Sequence, residues 1–360
     1  MGLVAACSNT MNTNPDAGAS ACAQDLSVGW TNDTLCAAGT GGSLGPACPA
    51  VTPPAMCINS HPIAACCAWV EQPQAPLALA PSALHYNGAP AGDTTVDLSC
   101  ITTPPVQGTP QMVTLNGFVK VFLGQDSDSA GVKIEILNET PAGSGTLGAS
   151  VGTTTTTTTS MSQLNTWLQN CPTGGCTERA YTIANVPTET ALVIHTSDAL
   201  GAGAWADFYE YNIYFPNSAV TAGAVTYNTT GVGTTDIATV TATVGYSPLA
   251  NKGLLAGEVH DCSDVRLSNA MVNTDYRPEG DIFYFGSDET DPLPDTQAVG
   301  TSDLGLFGAI NYTVGVPIHI SAVGTVNGTQ QQLIGAYTVQ VYPGAVTGLA
   351  LRGRRPYQTN

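Results

Sequence analysis

The chain has 360 residues and a formal net charge of −18 at pH 7, although only 10% of its residues are Asp, Glu, Lys or Arg. Its 27 acidic residues against nine basic ones would repel a nucleic-acid backbone, which excludes nucleic acid as a partner. No run of about 18 apolar residues occurs, so the sequence predicts no membrane-spanning helix. The 39 glycines and 24 prolines are typical of short strands joined by many turns.

The N-terminal stretch has a short apolar run that ends at Cys7, in the letters VAAC, and continues in small polar residues. Small residues before a cysteine are typical of a bacterial lipoprotein signal, so Cys7 is predicted to be the lipid attachment point. Because too few residues precede Cys7 for a complete signal, we expect the gene to start about 10 to 20 residues further upstream. The alternative is that Cys7 is an ordinary cysteine. Residues 1–21 are therefore predicted to be a signal remnant and flexible tether.

A cysteine-rich module is predicted over residues 22–70, where six of the eleven cysteines fall within 46 residues. This density is typical of a disulfide-stapled scaffold in an oxidising compartment, and the lack of CxxC pairs argues against zinc. The CPTGGC loop is expected to close with its own disulfide. Cys100 and Cys262 are the two cysteines left over, and they are a candidate fifth pair. The other predicted disulfide cysteines are Cys22, Cys36, Cys48, Cys57, Cys66, Cys67, Cys171 and Cys176.

Residues 71–110 are rich in proline and are predicted to form an extended connector laid over the domains. From Val113 onwards apolar and polar residues alternate, as in MVTLNGFVKVFLG and GVKIEIL, which predicts strands. RAYTI, TALVIHTS and FYEYNIYF are further predicted strands. The seven consecutive threonines favour an edge strand or a protruding loop, because they offer no apolar face.

The second half of the chain repeats the first. LNGFVKVF aligns with LAGEVHDC at an offset of 140, and VPTETALVIHTS aligns with VGVPIHISA at an offset of 124, which places His195 over His319. Each copy of roughly 100 residues offers five to seven short strands, which predicts a β-sandwich. Between the copies, TTDIATVTATVGYSPLANKG fits either a strand or a helix, and we expect a short helix. The predicted units are sandwich 1 (111–222), a linker (223–250), sandwich 2 (251–350) and a basic tail (351–360).

The repeated segments carry a family resemblance. LAGEVHDCSDVRLSNAMVNTDY resembles the opening of the carboxypeptidase regulatory-like domain, and TSDLGLFGAINYTVGVPIHISAVG resembles its later portion. The first copy lacks the aspartate after the first strand and is interrupted by an insertion. The resemblance implies an all-β fold of two tandem transthyretin-like, immunoglobulin-like β-sandwiches preceded by the cysteine-rich module. It also implies a bacterial envelope or secreted setting, and no catalytic residues, because no peptidase domain accompanies the copies.

Several patterns could carry chemistry, and each has a simpler interpretation. GASVG matches the nucleophile-elbow pattern but lacks the strand and helix that this motif needs, so we interpret it as a chance match. His195 and His319 are expected to be half-buried strand histidines. The arginines of the tail are expected to be solvated, with anionic lipid as the alternative. Two acidic loops could present oxygens to calcium, although solvated turns are the simpler interpretation. The calcium candidates are Asp126, Asp128, Asp288 and Asp291.

The sequence therefore predicts a non-catalytic lipoprotein of the bacterial cell envelope, in the outer membrane, with a structural, adhesive or ligand-presenting role. A lipid anchor would bind it to the membrane, a polysaccharide or an envelope protein are the candidate partners, and no cofactor other than calcium is expected. The first alternative is a secreted glycan- or calcium-binding module, for which the aromatic residues of FYEYNIYF could line a sugar-binding face. The second alternative is a hydrolase.

Overall fold

The computed structural model describes residues 57–58, 61–62, 75–80, 92–103, 105–123, 128–165, 176–274, 282–288, 292–326 and 330–358. Most of the predicted tether and cysteine-rich module lie outside these ranges, so the predictions made there stay predictions. The predicted site residues outside the described part are Cys7, Cys22, Cys36, Cys48, Cys66, Cys67, Asp126, Cys171 and Asp291.

The described part of the chain is mostly β-structure, as the sequence predicts. Its strands, in chain order, are β1 (Cys57–Ile58), β2 (His61–Pro62), β3 (Ala78–Leu79), β4 (Met112–Val121), β5 (Val132–Glu139), β6 (Leu147–Thr155), β7 (Ser162–Asn165), β8 (Cys176–Pro187), β9 (Leu192–Asp198), β10 (Phe208–Ile213), β11 (Ala224–Thr226), β12 (Thr229–Gly231), β13 (Lys252–Val259), β14 (Leu267–Ser268), β15 (Met271–Thr274), β16 (Phe283–Phe285), β17 (Pro294–Asp295), β18 (Leu306–Thr313), β19 (Ile318–Val326), β20 (Gln330–Val339) and β21 (Val346–Leu351). The helices are α1 (Ser99–Thr102), α2 (Thr234–Thr243) and a 3-10 turn (Asn217–Ala219). None of the described helices is long and apolar enough to cross a membrane.

The first half folds as two facing sheets. One sheet has the order β11-β4-β8-β7, and β12 also pairs with β4; the other contains β10-β9-β5-β6. Strict alternation buries one face of β4, including Leu115 and Val119, as its sequence pattern predicts. β5 buries Val132, Ile134 and Ile136 in the same way, and both sets meet in one core.

The second half repeats this topology. β4 is antiparallel to β8 and parallel to β11, and β13 is likewise antiparallel to β18 and parallel to β21. The facing sheet has the order β15-β19-β20, which corresponds to β5-β9-β10 in the first half. The alignment offsets of 140 and 124 thus connect strands that occupy equivalent places in the two halves.

The two halves share a sheet, which the sequence does not predict. β21 lies between β13 and β10 and runs parallel to both, with Val346 paired to Leu254 and to Phe208. One sheet of each half thereby joins into a nine-stranded sheet with the order β17-β16-β18-β13-β21-β10-β9-β5-β6. Val193 and Tyr211 of the first half are buried in the hydrophobic core of the second. The halves are therefore fused rather than merely tethered.

The proline-rich connector contacts the second half before it reaches the first. β3 pairs with β14, and Leu77 enters the core of the second half. After α1, the connector passes to the first half, where the backbone N–H of Gly108 donates to Glu189 at 2.9 Å. An extended segment laid over both halves is what the proline content predicts.

The predicted linker contains a helix and two strands, and the threonine run begins in a strand. α2 forms in the predicted linker as a helix, while β11 and β12, at the start of the same range, belong to the sheet of the first half. β6 contains the first threonines and is the last strand of the nine-stranded sheet. GASVG lies inside β6, and the strand continues past it, so it forms no nucleophile elbow.

The C-terminal residues pack on the protein, and the expectation of a solvated basic tail is wrong. Arg354 is only 5% exposed. The guanidinium of Arg355 donates to the side-chain and backbone oxygens of Asn212 at 3.0 and 2.8 Å. Arg352 forms an ion pair with Asp264. These arginines contact residues of both halves because the tail continues directly from β21 across the junction of the two halves.

Candidate functional site

An apolar cavity of about 120 Å³ lies between α2 and the outer face of the nine-stranded sheet. Ile237 and Val240 of α2 cover one side, and the rings of Phe122 and Phe285 meet edge to face at 6.4 Å beside them. Because the sheet here contains strands of both halves, the cavity lies at their junction. Concave apolar spaces of this kind are where small ligands commonly bind.

Strand register explains why this space is open. Ala256 of β13 is paired with Gly308 of β18 on one side and with Gly348 of β21 on the other. On this row Phe283 flanks Gly308 on one side, and Glu210 flanks Gly348 on the other. Three neighbouring strands therefore place small residues side by side, and side chains at the two ends of the row form walls. Glycine within a strand often marks a place where another group approaches closely.

The glycines are required by the rings that pack on them. A Cβ at Gly308 would lie 2.6 Å from the ring of Phe283, and a Cβ at Gly348 would lie 2.4 Å from the ring of Phe208. Both distances are far below van der Waals contact, so the two rings lie against bare backbone. Ala256 lies between them and forms the floor of the cavity.

Carboxylates are the charged groups among the described residues that line the cavity. Glu210 is 3% exposed, and its Oε1 and Oε2 accept hydrogen bonds from the hydroxyls of Tyr227 at 2.6 Å and Thr229 at 3.0 Å. Asp236 is fully buried and accepts a hydrogen bond from the backbone N–H of Gly233 at 3.1 Å, at the start of α2. Glu258 is the third carboxylate that lines the cavity.

Glu258 connects the cavity to a buried ionic cluster. Arg266 donates to both of its oxygens, from Nε at 3.0 Å and from Nη2 at 3.1 Å. His260 Nε2 lies 2.7 Å from Glu258, and its Nδ1 lies 2.9 Å from Asp264. Burial by itself would raise the pKa of Glu258, but the charge of Arg266 and the contact with His260 hold it well below its usual range.

The cluster is structural. His260 has no exposed surface, so its ring cannot reach a substrate. Burial by itself would lower the pKa of His260, but the hydrogen bonds with Asp264 and Glu258 outweigh burial and raise it. Both ring nitrogens lie within hydrogen-bond distance of carboxylates. Such a fully paired network fixes the turn that follows β13 and supplies no free acid or base.

Lys120 approaches the same region from β4. Burial lowers the pKa of its ammonium group, and the nearby charges of Glu258 and Glu210 oppose that effect. Lys120 does not line the cavity. The lining therefore combines aromatic and aliphatic side chains with Thr230, Thr241 and three carboxylates, of which Glu258 is already paired with Arg266.

A second buried network joins the two halves at Glu139. Its Oε1 accepts from the backbone N–H of Gly145 at 2.6 Å, and its Oε2 accepts from the hydroxyl of Tyr337 in β20 at 2.5 Å. The Tyr337 hydroxyl also lies 3.0 Å from that of Tyr357 in the tail. Burial raises the pKa of Glu139 to about 7, although the hydrogen bond from Tyr337 opposes this change.

His195 and His319, the two histidines that the repeat aligns, each lie within hydrogen-bond distance of a neighbouring side chain. His195 Nε2 lies 2.8 Å from Asp207, and its ring stacks on Tyr209 with the centroids 4.1 Å apart. His319 is buried, with Nδ1 at 2.9 Å from the hydroxyl of Thr338. Neither belongs to the cavity.

The calcium candidates do not converge in the described residues. Asp128 faces the guanidinium of Arg179, with Nε at 2.7 Å from Oδ1. Asp288 is exposed. In the described part, no group of three or more His, Cys, Asp or Glu side chains is arranged to hold a metal. With Asp126 and Asp291 outside the described ranges, calcium binding stays a prediction.

The aromatic strand FYEYNIYF is mostly core. Phe208, Tyr211 and Tyr214 are buried. Tyr209 is half-buried, and its ring is held between His195 and Tyr342, whose centroid lies 4.2 Å away. Because both faces of the Tyr209 ring are covered, this strand offers no free ring face on which a sugar could stack.

Cys100 and Cys262 form a disulfide across 162 residues. It joins α1 of the connector to the turn after β13, where the backbone N–H of Cys262 also donates to Asp97 at 2.8 Å. Cys176 is buried and disulfide-bonded. In the sequence, Cys100 and Cys262 were the two cysteines that remained after the other predicted pairs, so counting cysteines could only suggest this bridge.

Sequence reasoning missed the cavity and the ionic cluster. A partial signal exists in LAGEVHD, where Glu258 and His260 are two residues apart on a strand and so share a face. The small residues at 256, 308 and 348 become a pattern only once the strand register is known. Glu210 lies in a run of aromatic residues, where a charge needs a partner.

No protein-family model matches the chain, and no curated protein matches it. Among solved structures it is similar to the TIE protein of Bacillus anthracis, at 10% identity and a TM-score of 0.18, over 67% of this chain and 34% of that one. It is also similar to the shaft pilin SpaA of Lactobacillus rhamnosus GG, at 12% identity and a TM-score of 0.20, over 68% of this chain and all of that one. The major pilin of Streptococcus pyogenes shows 8% identity and a TM-score of 0.17, over 67% and 99%.

The chain spans about a third of the length of the TIE protein. TM-scores this low assign no family, and the resemblance to carboxypeptidase regulatory-like domains is not confirmed by a family model. The fold and the cavity define an all-β protein with two fused halves and a junction cavity.

Proposed function

We propose that the chain is a non-catalytic protein of the bacterial cell envelope that serves as a rigid structural or ligand-presenting body, held to the outer membrane by a lipid on Cys7. The observation that carries the proposal is the nine-stranded sheet, in which β21 joins strands of both halves. A fused sheet resists bending between its halves because backbone hydrogen bonds, not a flexible linker, connect them. The Cys100–Cys262 bridge fastens the connector to the same body.

The ionisable groups support a structural role. His260, Glu258 and Arg266 bond to each other in the interior, and Glu139 is buried at the junction. A hydrolase needs an acid or base that reaches its substrate in a pocket. The carboxylates of the cavity are already engaged, Glu210 with Tyr227 and Thr229 and Glu258 with Arg266, which supports a structural rather than a catalytic role for them.

The location is tested by fractionation. Expression of the wild-type chain behind a complete lipoprotein signal, with labelled fatty acid, should place label and protein in the outer-membrane fraction. A Cys7→Ser variant should lose the label and become soluble. The matched control is Ser8→Cys, which keeps Cys7 and should remain in the membrane. Membrane association of Cys7→Ser equal to that of the wild type would contradict the lipid anchor.

A further inference from the structure

We infer that the junction cavity binds a small neutral hydrocarbon group, about the size of one six-membered ring, over Ala256. This goes beyond the proposed structural role, because it assigns a ligand class to a specific place. Three properties of the described lining carry the inference: the volume of the cavity, its apolar walls, and the engagement of its carboxylates with other groups of the protein.

The volume of the cavity limits the size of the ligand. It measures about 120 Å³. An engineered apolar cavity of roughly 150 Å³ in another protein stays dry and binds benzene. The space over Ala256 therefore accepts a group of similar size. A bulkier apolar molecule would leave part of its surface in water, so the cavity selects ligands by size.

The walls around Ala256 are apolar. Gly308 and Gly348 are paired with Ala256 on its two sides, and the rings of Phe283 and Phe208 lie on these glycines. Aliphatic side chains of α2 cover the opposite side of the cavity. A hydrocarbon in this position exchanges contact with water for contact with apolar side chains, which is favourable roughly in proportion to the area buried.

The carboxylate of Glu210 is already engaged within the protein. It accepts hydrogen bonds from the hydroxyls of Tyr227 at 2.6 Å and Thr229 at 3.0 Å. It is also coupled to the buried ammonium group of Lys120: burial lowers the pKa of Lys120, and the nearby charges of Glu258 and Glu210 oppose that effect. The negative charge of Glu210 is therefore balanced without a ligand.

The other two carboxylates of the lining are engaged as well. Glu258 accepts from Nε and Nη2 of Arg266 at 3.0 and 3.1 Å, and His260 Nε2 lies 2.7 Å from it. Asp236 accepts from the backbone N–H of Gly233 at the start of α2, where the helix dipole favours a negative charge.

A charged ligand would gain little at these carboxylates. Gly348 separates Ala256 from Glu210 in the row of paired residues, and the ring of Phe208 lies on Gly348. An ammonium group on a ligand over Ala256 would lose water against apolar walls without reaching a free carboxylate. A ligand carboxylate would lose water and also be repelled by the acidic groups of the lining. A neutral hydrocarbon avoids both costs.

The test uses three probes of similar shape and different charge on the full-length oxidised protein: toluene, benzylamine and benzoate. Titration is followed by calorimetry and by the methyl NMR signals of Ile237, Val240 and Leu254, which line the cavity. Toluene should bind and shift these signals. Benzylamine and benzoate should each bind at least about tenfold more weakly, because they lose the hydration of a charge.

Variants that fill the cavity test the position of the ligand. Ala256→Leu places a larger side chain in the space and should abolish toluene binding. If Ala256→Leu fails to fold, Ile237→Trp at the half-buried mouth serves the same purpose. Its matched control is Ala238→Trp on the exposed side of the same helix, which should bind toluene within about twofold of the wild type.

Each contrary result overturns the inference. No binding of toluene up to about 3 mM would remove the site. Toluene binding that survives both Ala256→Leu and Ile237→Trp, or that is lost equally in Ala238→Trp, would place the ligand elsewhere. Benzylamine or benzoate binding as tightly as toluene would overturn the assignment of a neutral hydrocarbon.

Discussion

Glu139 should make the stability of the protein depend on pH, and Glu139→Gln should remove that dependence. Its carboxyl is 4% exposed and bonded to Tyr337 across the junction. Burial raises its pKa from an ordinary value of 4.5 to about 7. The folded state therefore keeps a proton that the unfolded state releases between these two pH values.

The sign follows from proton linkage. Below pH 4.5 the Glu139 carboxyl is protonated in both the folded and the unfolded state, so its contribution to the free energy of unfolding is fully present. From pH 4.5 to about 7 the unfolded state binds fewer protons than the folded state, so the free energy of unfolding falls as pH rises. Above about pH 7 both states are ionised and the effect is constant. At about 1.4 kcal/mol per pH unit, the loss across this window is about 3 kcal/mol.

The assay is urea unfolding of the oxidised protein from pH 4 to pH 8.5, with the free energy of Glu139→Gln subtracted from that of the wild type at each pH. The subtraction removes the contributions of other groups that titrate in this range. The difference should fall by about 3 kcal/mol between pH 4.5 and 7 and stay level beyond. Asp295→Asn is the control variant, because Asp295 is an exposed carboxylate at the end of β17. A flat difference curve for Glu139→Gln would refute the reasoning.

Three further perturbations test other parts of the structure. Replacing both Cys100 and Cys262 with Ser should lower the free energy of unfolding by about 3 to 5 kcal/mol, because the bridge closes a loop of 162 residues and its loss gives the unfolded chain more conformational freedom. Guanidinium unfolding measures this change, and an unchanged free energy of unfolding would show that the bridge does not stabilise the fold. Gly308→Ala should destabilise by about 1 to 3 kcal/mol, because its Cβ would lie 2.6 Å from the ring of Phe283, whereas Gly286→Ala, whose Cβ would meet nothing closer than 3.7 Å and whose φ is not positive, is the matched control without the clash. Leu115→Ala should cost about 2 to 5 kcal/mol in thermal or urea unfolding, because Leu115 is completely buried in the first core, and a loss below 1 kcal/mol would contradict that packing.

Local patterns predicted much of the secondary structure. β4 and β5 could be predicted because each alternates strictly and has one buried face. The helix of the linker was less certain in the sequence, since Ile237, Val240 and Val244 fit one helix face while Val240 and Val244 also fit a strand. The repeat could be predicted because equivalent strands have similar residue patterns, at an offset of 140 for β4 with β13 and of 124 for β9 with β19.

The shared sheet and the cavity could not be predicted because they depend on contacts between distant residues. Nothing in VTGLAL indicates that β21 pairs with β10. In that pairing Val346 lies opposite Phe208, which is 138 residues earlier in the chain. The same pairing brings Gly348 beside Ala256 and Glu210, so the cavity could not be predicted without it. The arginines of the tail were expected to be solvated for the same reason: their partners, Asp264 and Asn212, are far away in the chain.

Hydrogen exchange of the backbone amides tests the fused sheet most directly. On the full-length oxidised protein, amides of β21 that donate to β10 and β13 should exchange slowly, with the same opening free energy as those of β9 and β13 on either side. That result is expected if one cooperative sheet runs through both halves. Fast exchange in β21 together with slow exchange in β9 and β13 would show two independent halves and contradict the account.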